Sequence, residues 1–388
     1  NLGTTTLAGG VNTLLFGNAL VVNAGATLDL GGNSQYVSDL SSQGATAALD
    51  VKGGVITSTS GTPVLVANSA TKLFGGSING SITFAKSNAT GTLSLLGANG
   101  YTGKTIVTGG TLLVQDRGTL SATSAIELNY GTLAVGNGGL YGLDDRVNDA
   151  AAITMRGGAL YFYGRGGAYS SEAVGAVSLA SGTSTISASN GSNTMLFEGA
   201  TLTLGGLSRS SVAAATVSFA QNYTPSSSGT LGQLVDSSTT GRSQNIMVTG
   251  GLSLTNNIVG PWAVVGGYFA YSPAEYASYG AAFGVGGLNV VGYAGYDGNA
   301  LPSSSNAAGN FRVTASAALP AGGLVLNTLN AVNTAASANL DLTFSSANDV
   351  LNLAAGGLMI QNVVNGTSGT SSIGTVATPG KITAGDRK

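Results

Sequence analysis

One phrase recurs along this chain in altered form: one or two glycines, then a short alternation of Thr or Ser with Leu, Val or Ile. It reads Gly25-Ala26-Thr27-Leu28-Asp29-Leu30, Gly91-Thr92-Leu93-Ser94-Leu95, Gly109-Gly110-Thr111-Leu112-Leu113-Val114 and Gly131-Thr132-Leu133-Ala134-Val135. Weaker copies stand at Gly158-Ala159-Leu160, Ala200-Thr201-Leu202-Thr203-Leu204, Gly250-Gly251-Leu252-Ser253-Leu254, Gly323-Leu324-Val325-Leu326 and Gly357-Leu358-Met359-Ile360. Leu93 to Leu112 is 19 residues, Leu112 to Leu133 is 21, and Leu133 to Leu160 is 27. A repeat of that length belongs to a stacked array, in which each copy buries its apolar face only against its neighbours. The alternation has period two, so the copies read as strands with one face buried and one face of Thr, Ser or Asp in water. Glycine pairs such as Gly53-Gly54 and Gly75-Gly76, with Asn79-Gly80 and Asn190-Gly191, supply the corners. A Greek-key sandwich does not need one glycine-led phrase per 20 or so residues, whereas a coil that turns the same corners in every layer does. The expected fold is all-β, a parallel β-helix (β-solenoid) with irregular loop insertions.

The register follows from the alternation. Leu28, Leu93, Leu95, Leu112, Val114, Leu133, Val135, Leu202, Leu204 and Leu252 are expected to face one continuous core, and Thr27, Ser94, Thr132, Thr201 and Ser253 to face outward. No 3.6-residue period persists; residues 321–338 come nearest to a helix.

Length would suggest two or three globular domains, but a repeat array grows along one axis, and one long body is expected. Residues 1–255 read as layers of the coil, with a loop leaving it near 136–149. Residues 256–310 form an aromatic-rich segment that is either broadened layers or a lateral hairpin with its own small core, and 311–388 return to the coil. The chain begins at Asn1 without a basic segment or apolar signal core, as expected of a segment of a longer protein whose leader has been removed. Turn-and-strand patterns close to both ends, at Leu2 to Leu7 and Ser372 to Val376, lead to the expectation that copies or neighbouring segments join end to end.

Composition narrows the function. Only 8% of the residues are charged against 43% hydrophobic, and the net charge is −2. No basic face for phosphates is offered, so nucleic acid is not an expected partner. No apolar run approaches the roughly 18 residues of a membrane-spanning helix. The absence of His and Cys excludes Ser-His-Asp and Cys-His nucleophile systems, disulfides and most zinc chemistry.

At Leu93-Ser94-Leu95-Leu96-Gly97-Ala98-Asn99-Gly100-Tyr101-Thr102-Gly103-Lys104-Thr105-Ile106-Val107-Thr108-Gly109-Gly110-Thr111-Leu112 the chain resembles the autotransporter-associated β-strand repeat of passenger regions in large bacterial surface proteins. That repeat runs as an apolar strand, Gly-Ala-Asn-x-Tyr-Thr-Gly, a second strand and Gly-Thr-Leu. Ile258 to Gly267, with Trp262-Ala263-Val264-Val265, resembles a Trp-Ala-x-Val segment of very long repeat proteins of this kind. The strong match covers about 20 residues and a looser one about 50 more. The resemblance implies a right-handed β-helix, exported to the bacterial cell surface, acting as a structural or adhesive scaffold or filament without catalytic residues. The family's usual outer-membrane barrel has no counterpart here, since Gly385 to Lys388 lack its alternating, aromatic-ended strands.

Three stretches of the sequence carry candidate sites, each with a plainer role beside it. Ala98 to Thr105 fits a loose phosphate-loop pattern, but a strand and a corner follow Lys104 where a phosphate loop needs a helix. Asp144, Asp145, Arg146 and Asp149 form the densest acidic cluster, read as solvated loop charges. No cofactor is expected; weak calcium binding through Asp144, Asp145 and Asp149, helped by Asn137 and Asn148, is the one metal role the oxygen ligands suggest. A polysaccharide lyase or hydrolase is the alternative reading of the same carboxylates. The aromatics Trp262, Tyr268, Tyr271, Tyr276 and Tyr279 offer sugar or partner stacking, which makes a polysaccharide- or receptor-binding module the second alternative.

Overall fold

In the computed structural model, residues 3–15, 17–46, 52–189, 199–211, 214–220, 234–235, 242–266, 273–288, 290, 292–335, 338–363 and 369–384 are described. Among them there is no helix, and the strands lie in sheets paired predominantly in parallel, compatible with a β-solenoid. Among the described residues no helix is long and apolar enough to cross a membrane. The chain divides into two compact units. One comprises residues 1–217, 222–229 and 234–250; the other comprises 218–221, 230–233 and 251–388.

In the first unit the glycine-led phrase forms a ladder. Thr92–Leu95 pairs with Thr111–Val114, which pairs with Thr132–Gly136, which pairs with the second half of Ala152–Tyr163, which pairs with the second half of Val177–Ser189. Leu93, Leu112, Leu133, Leu160 and Ile186 stand in register in one row, and none is exposed. A second column runs through Gln35–Val37, Val64–Ala67, Thr83–Lys86, Thr105–Val107, Ala125–Leu128 and the first halves of the two long strands. A third runs from Gly3–Thr6 through Ala26–Asp29, Val55–Thr57, Ser77–Gly80 and Ala98–Tyr101 to Thr119–Leu120, and Leu120 bridges in parallel to Val147. Tyr169–Val174, Gly199–Leu204 and Arg242–Val248 pair in parallel with one another. The copies at Leu28 and Leu202 therefore stack on Ile56 and Ile246, away from the row of Leu112.

The corners explain the leading glycines. A Cβ on Gly110 (φ 57°) would lie 2.3 Å from the Gly91 carbonyl oxygen, and one on Gly158 (φ 86°) 2.3 Å from that of Gly131. Successive layers nearly touch at this corner, and only glycine combines that approach with positive φ. At the phosphate-loop-like stretch, strand, corner and strand follow without a helix. Tyr101 is buried there, its ring 6.0 Å from that of Phe84 and its hydroxyl 2.6 Å from Thr105 Oγ1.

Most of the expected core residues are buried, from Leu28 through Leu204. Leu252 differs: it is half-buried in a segment without strand, because Gly250 and Gly251 both take positive φ and turn the chain. Thr27, Thr132 and Thr201 are half-buried and Ser253 is exposed. Ser94 is covered, since its register neighbours in the outward row are Leu73 and Leu113.

In the second unit, Asn306–Val313, Gly323–Asn333, Val350–Asn362 and Lys381–Thr383 form one parallel sheet and Ala317–Ala318, Leu340–Thr343 and Ser371–Ile373 another. Leu324, Leu326, Leu329, Leu342, Leu351 and Leu353 lie in their shared core. Within residues 321–338, the segment nearest to a helix in the sequence, Gly323–Asn333 is a strand, buried almost throughout because Asn256, Ala274, Glu275, Tyr276 and Tyr296 bond to its residues 327–330. Glu275–Gly280 pairs antiparallel with both Ala263–Val265 and Gly284–Gly287. Ile258, Tyr276 and Leu288 form a small core there with Val264, Ala294, Tyr296 and Met359.

Candidate functional site

The acidic loop is organised around a buried cation. Arg146 is fully buried, with Nε donating to Asn137 Oδ1 (2.9 Å), one terminal nitrogen to the Asp116 and Gly118 carbonyls (2.8 Å each) and the other to the Tyr141 carbonyl (2.8 Å). Its five-donor fork satisfies backbone acceptors that a loop folded back on the corner would otherwise bury unpaired. Burial lowers the Arg146 pKa, opposed by Glu172, Asp116 and Asp144.

Glu172 lies opposite, in a row that continues to Leu202 and Ile246. Its carboxylate accepts the backbone N–H of Arg146 at 3.1 Å and that of Val147 at 2.9 Å. Burial pushes its pKa up to about 8, against these bonds and Arg146. Asp116, also buried and at φ 57°, accepts the Leu140 N–H at 2.7 Å.

The reading of these charges as solvated is thus corrected for Arg146. Asp144, Asp145 and Asp149 are exposed, and Asp144 Oδ1 accepts the Ser171 N–H at 3.3 Å. Among the described residues no group of three or more Asp, Glu, His or Cys side chains is placed to hold a metal, so the three aspartates are not brought together as a calcium site. Glu172 carried no signal in the sequence, where Tyr169-Ser170-Ser171-Glu172 reads as an ordinary alternating surface strand.

The aromatic segment yields a different geometry. Tyr276 is fully buried, with its hydroxyl donating to the Leu329 carbonyl at 3.3 Å. It is a core residue and cannot stack on a sugar, which corrects the expectation for it. Tyr268 and Tyr271 lie outside the described residues. Tyr279 is half-buried, as is Trp262. Trp262 lines a solvent-open cleft of about 320 Å³ with Thr255, Asn256, Pro261, Asn327 and Ala355.

The turn beside that cleft is tightly built. Thr255 and Ile258 exchange backbone hydrogen bonds of 3.0 and 3.2 Å around Asn256 and Asn257, both at positive φ (51° and 65°). This is the backbone of a two-residue hairpin turn, which Asn tolerates better than other non-glycine residues. Asn256 Nδ2 donates to Asn327 Oδ1 (3.0 Å), Asn327 Nδ2 to Asn310 Oδ1 (2.8 Å), and Asn310 Nδ2 to the Asn256 carbonyl (2.6 Å). The three amides close a ring that fixes the turn against strands Asn306–Val313 and Gly323–Asn333.

A second polar network anchors the neighbouring strand. Glu275 accepts from the Tyr296 hydroxyl (2.6 Å) and Asn330 Nδ2 (3.1 Å), with Arg312 Nε at 3.6 Å. Gln361 clasps the Ala274 backbone, donating at 2.8 Å and accepting at 2.7 Å. Burial raises the Glu275 pKa. The networks join residues 17 to 87 positions apart and left no local pattern.

Comparison with models of protein families, with curated proteins and with solved structures finds no match for the chain.

Proposed function

We propose that the chain is a non-catalytic structural or adhesive right-handed β-solenoid, a segment of a long protein at the bacterial cell surface. The observation that carries this reading is the in-register row Leu93, Leu112, Leu133, Leu160 and Ile186, which makes the resembling repeat a structural unit. The second support is chemical. The most buried charges among the described residues, Lys86, Asp116, Arg146 and Glu172, bond to backbone groups within the fold. Such a coil presents hydroxyl and amide faces to water and leaves its outer strands available to a neighbouring segment or copy.

Protease shaving of intact bacteria producing the full protein tests the location: this chain is expected among the released peptides, and its recovery only after lysis would overturn the reading. Incubation with neutral and acidic polysaccharides tests the chemistry, with no chain cleavage expected. Saturable cleavage lost in Asp145→Asn would put a carbohydrate-active enzyme in its place.

A further inference from the structure

We infer that the Trp262 cleft binds one uncharged pyranose ring within a neutral polysaccharide. This specifies the ligand for the adhesive side of the proposed function, and it stands on observations in the second unit alone. The volume, about 320 Å³, is at the small end of ligand sites, which run from roughly 300 to 1,000 Å³. Because the cleft is open to solvent, a bound ring can stay joined to a longer chain, which an enclosed cavity would forbid.

The lining fixes the chemistry. Its side chains are Thr255, Asn256, Ile258, Val259, Pro261, Trp262, alanines and Asn327, with no charged residue among them. A phosphate, carboxylate or ammonium entering here would lose hydration without gaining a counter-charge. A pyranose has what the walls complement: an apolar face of axial C–H bonds to lie on an indole, and equatorial hydroxyls for amides. The amide of Asn256 spends one donor on Asn327, and its second N–H and its oxygen lone pairs retain bonding capacity.

The site is also held in shape before any ligand arrives. A Cβ on Gly260 would lie 2.2 Å from Trp262 Nε1, so the indole edge rests on that glycine. The three-amide ring holds the Asn256 turn at its other wall. Preorganisation of this kind lowers the entropic cost of binding.

Trp262 is the chain's only tryptophan, so intrinsic fluorescence reads the cleft without a label. The full chain is titrated with cello-, laminari-, manno- and malto-hexaose, with hexagalacturonate and a neutral hexapeptide as controls. At least one neutral hexaose is expected to shift Trp262 emission saturably with a Kd at or below about 1 mM, and neither control is. Asn256→Gly, which keeps the positive-φ turn but removes the amide, is expected to raise that Kd roughly tenfold or more without changing the circular dichroism spectrum. No response to any neutral hexaose, an unchanged Kd in Asn256→Gly, or tighter binding of either control would each overturn the inference. Those failures would leave the coil and its surface location untouched, because the register and shaving experiments read neither Trp262 nor Asn256.

Discussion

Single residues carry the clearest conflict between burial and charge. Lys86 and Glu172 occupy rows that their neighbours fill with Ala67 and Val107 or with Leu202 and Ile246. Each uses its charge on backbone groups: Lys86 Nζ lies 3.4 Å from the Ser87, Asn88 and Gly109 carbonyls, and Glu172 holds two amides. Burial raises Glu172 from 4.5 to about 8 and lowers Lys86 from 10.5 to about 8. Between pH 4.5 and 8 the folded state binds more protons than the unfolded at Glu172, so stability falls as pH rises. Between pH 8 and 10.5 the unfolded state binds more at Lys86, so stability rises. Denaturant titrations should therefore show a stability minimum near pH 8, with limbs on the order of a few kcal/mol. Glu172→Gln should flatten the acidic limb and Lys86→Met the basic one; a wild-type profile retained in both variants would contradict these assignments. In the same core, Leu112→Asp leaves a charge with no partner and should cost several kcal/mol, read as new protease cleavage in residues 105–120.

At the scale of elements, period two and the leading glycines were legible because each strand must bury one face and each layer must turn a corner beside the last. Gly110→Ala should lower stability by at least about 1–3 kcal/mol from the positive φ alone, with the 2.3 Å approach to the Gly91 carbonyl adding to it; thermal unfolding unchanged from the wild type would refute the corner argument. What the pattern hid was decided by neighbours remote in sequence. Ser94 is outward yet covered by Leu73 and Leu113, and strand Gly323–Asn333 loses its alternation because Asn256, Ala274, Glu275 and Tyr276 bond to residues 327–330. The loop at 136–149 looked solvated because nothing local says that Asp116, Gly118 and Glu172 will enclose Arg146. The exposed aspartates do not converge, and calorimetry with calcium should give no saturable heat in the micromolar range.

Across the whole molecule, the two units use parallel pairing in different company. The first stacks parallel strands in columns and pairs Leu234–Val235 antiparallel with Arg242–Val248, and the second sets the antiparallel strands Ala263–Val265, Glu275–Gly280 and Gly284–Gly287 beside its parallel sheets and carries the Trp262 cleft. The parallel ladder underlies the whole fold of the first unit, and one measurement reads it directly. The chain has no cysteine, so spin labels can be placed pairwise along one outward row: Thr92→Cys with Thr111→Cys, Thr132→Cys or Thr185→Cys. These positions are one, two and four strands apart in the register. At about 4.8 Å per strand, dipolar spectroscopy should give backbone separations of about 5, 10 and 19 Å that grow with strand count. Distances that fail to increase in that order, or a Thr92 to Thr185 separation beyond about 30 Å, would contradict the stacked coil.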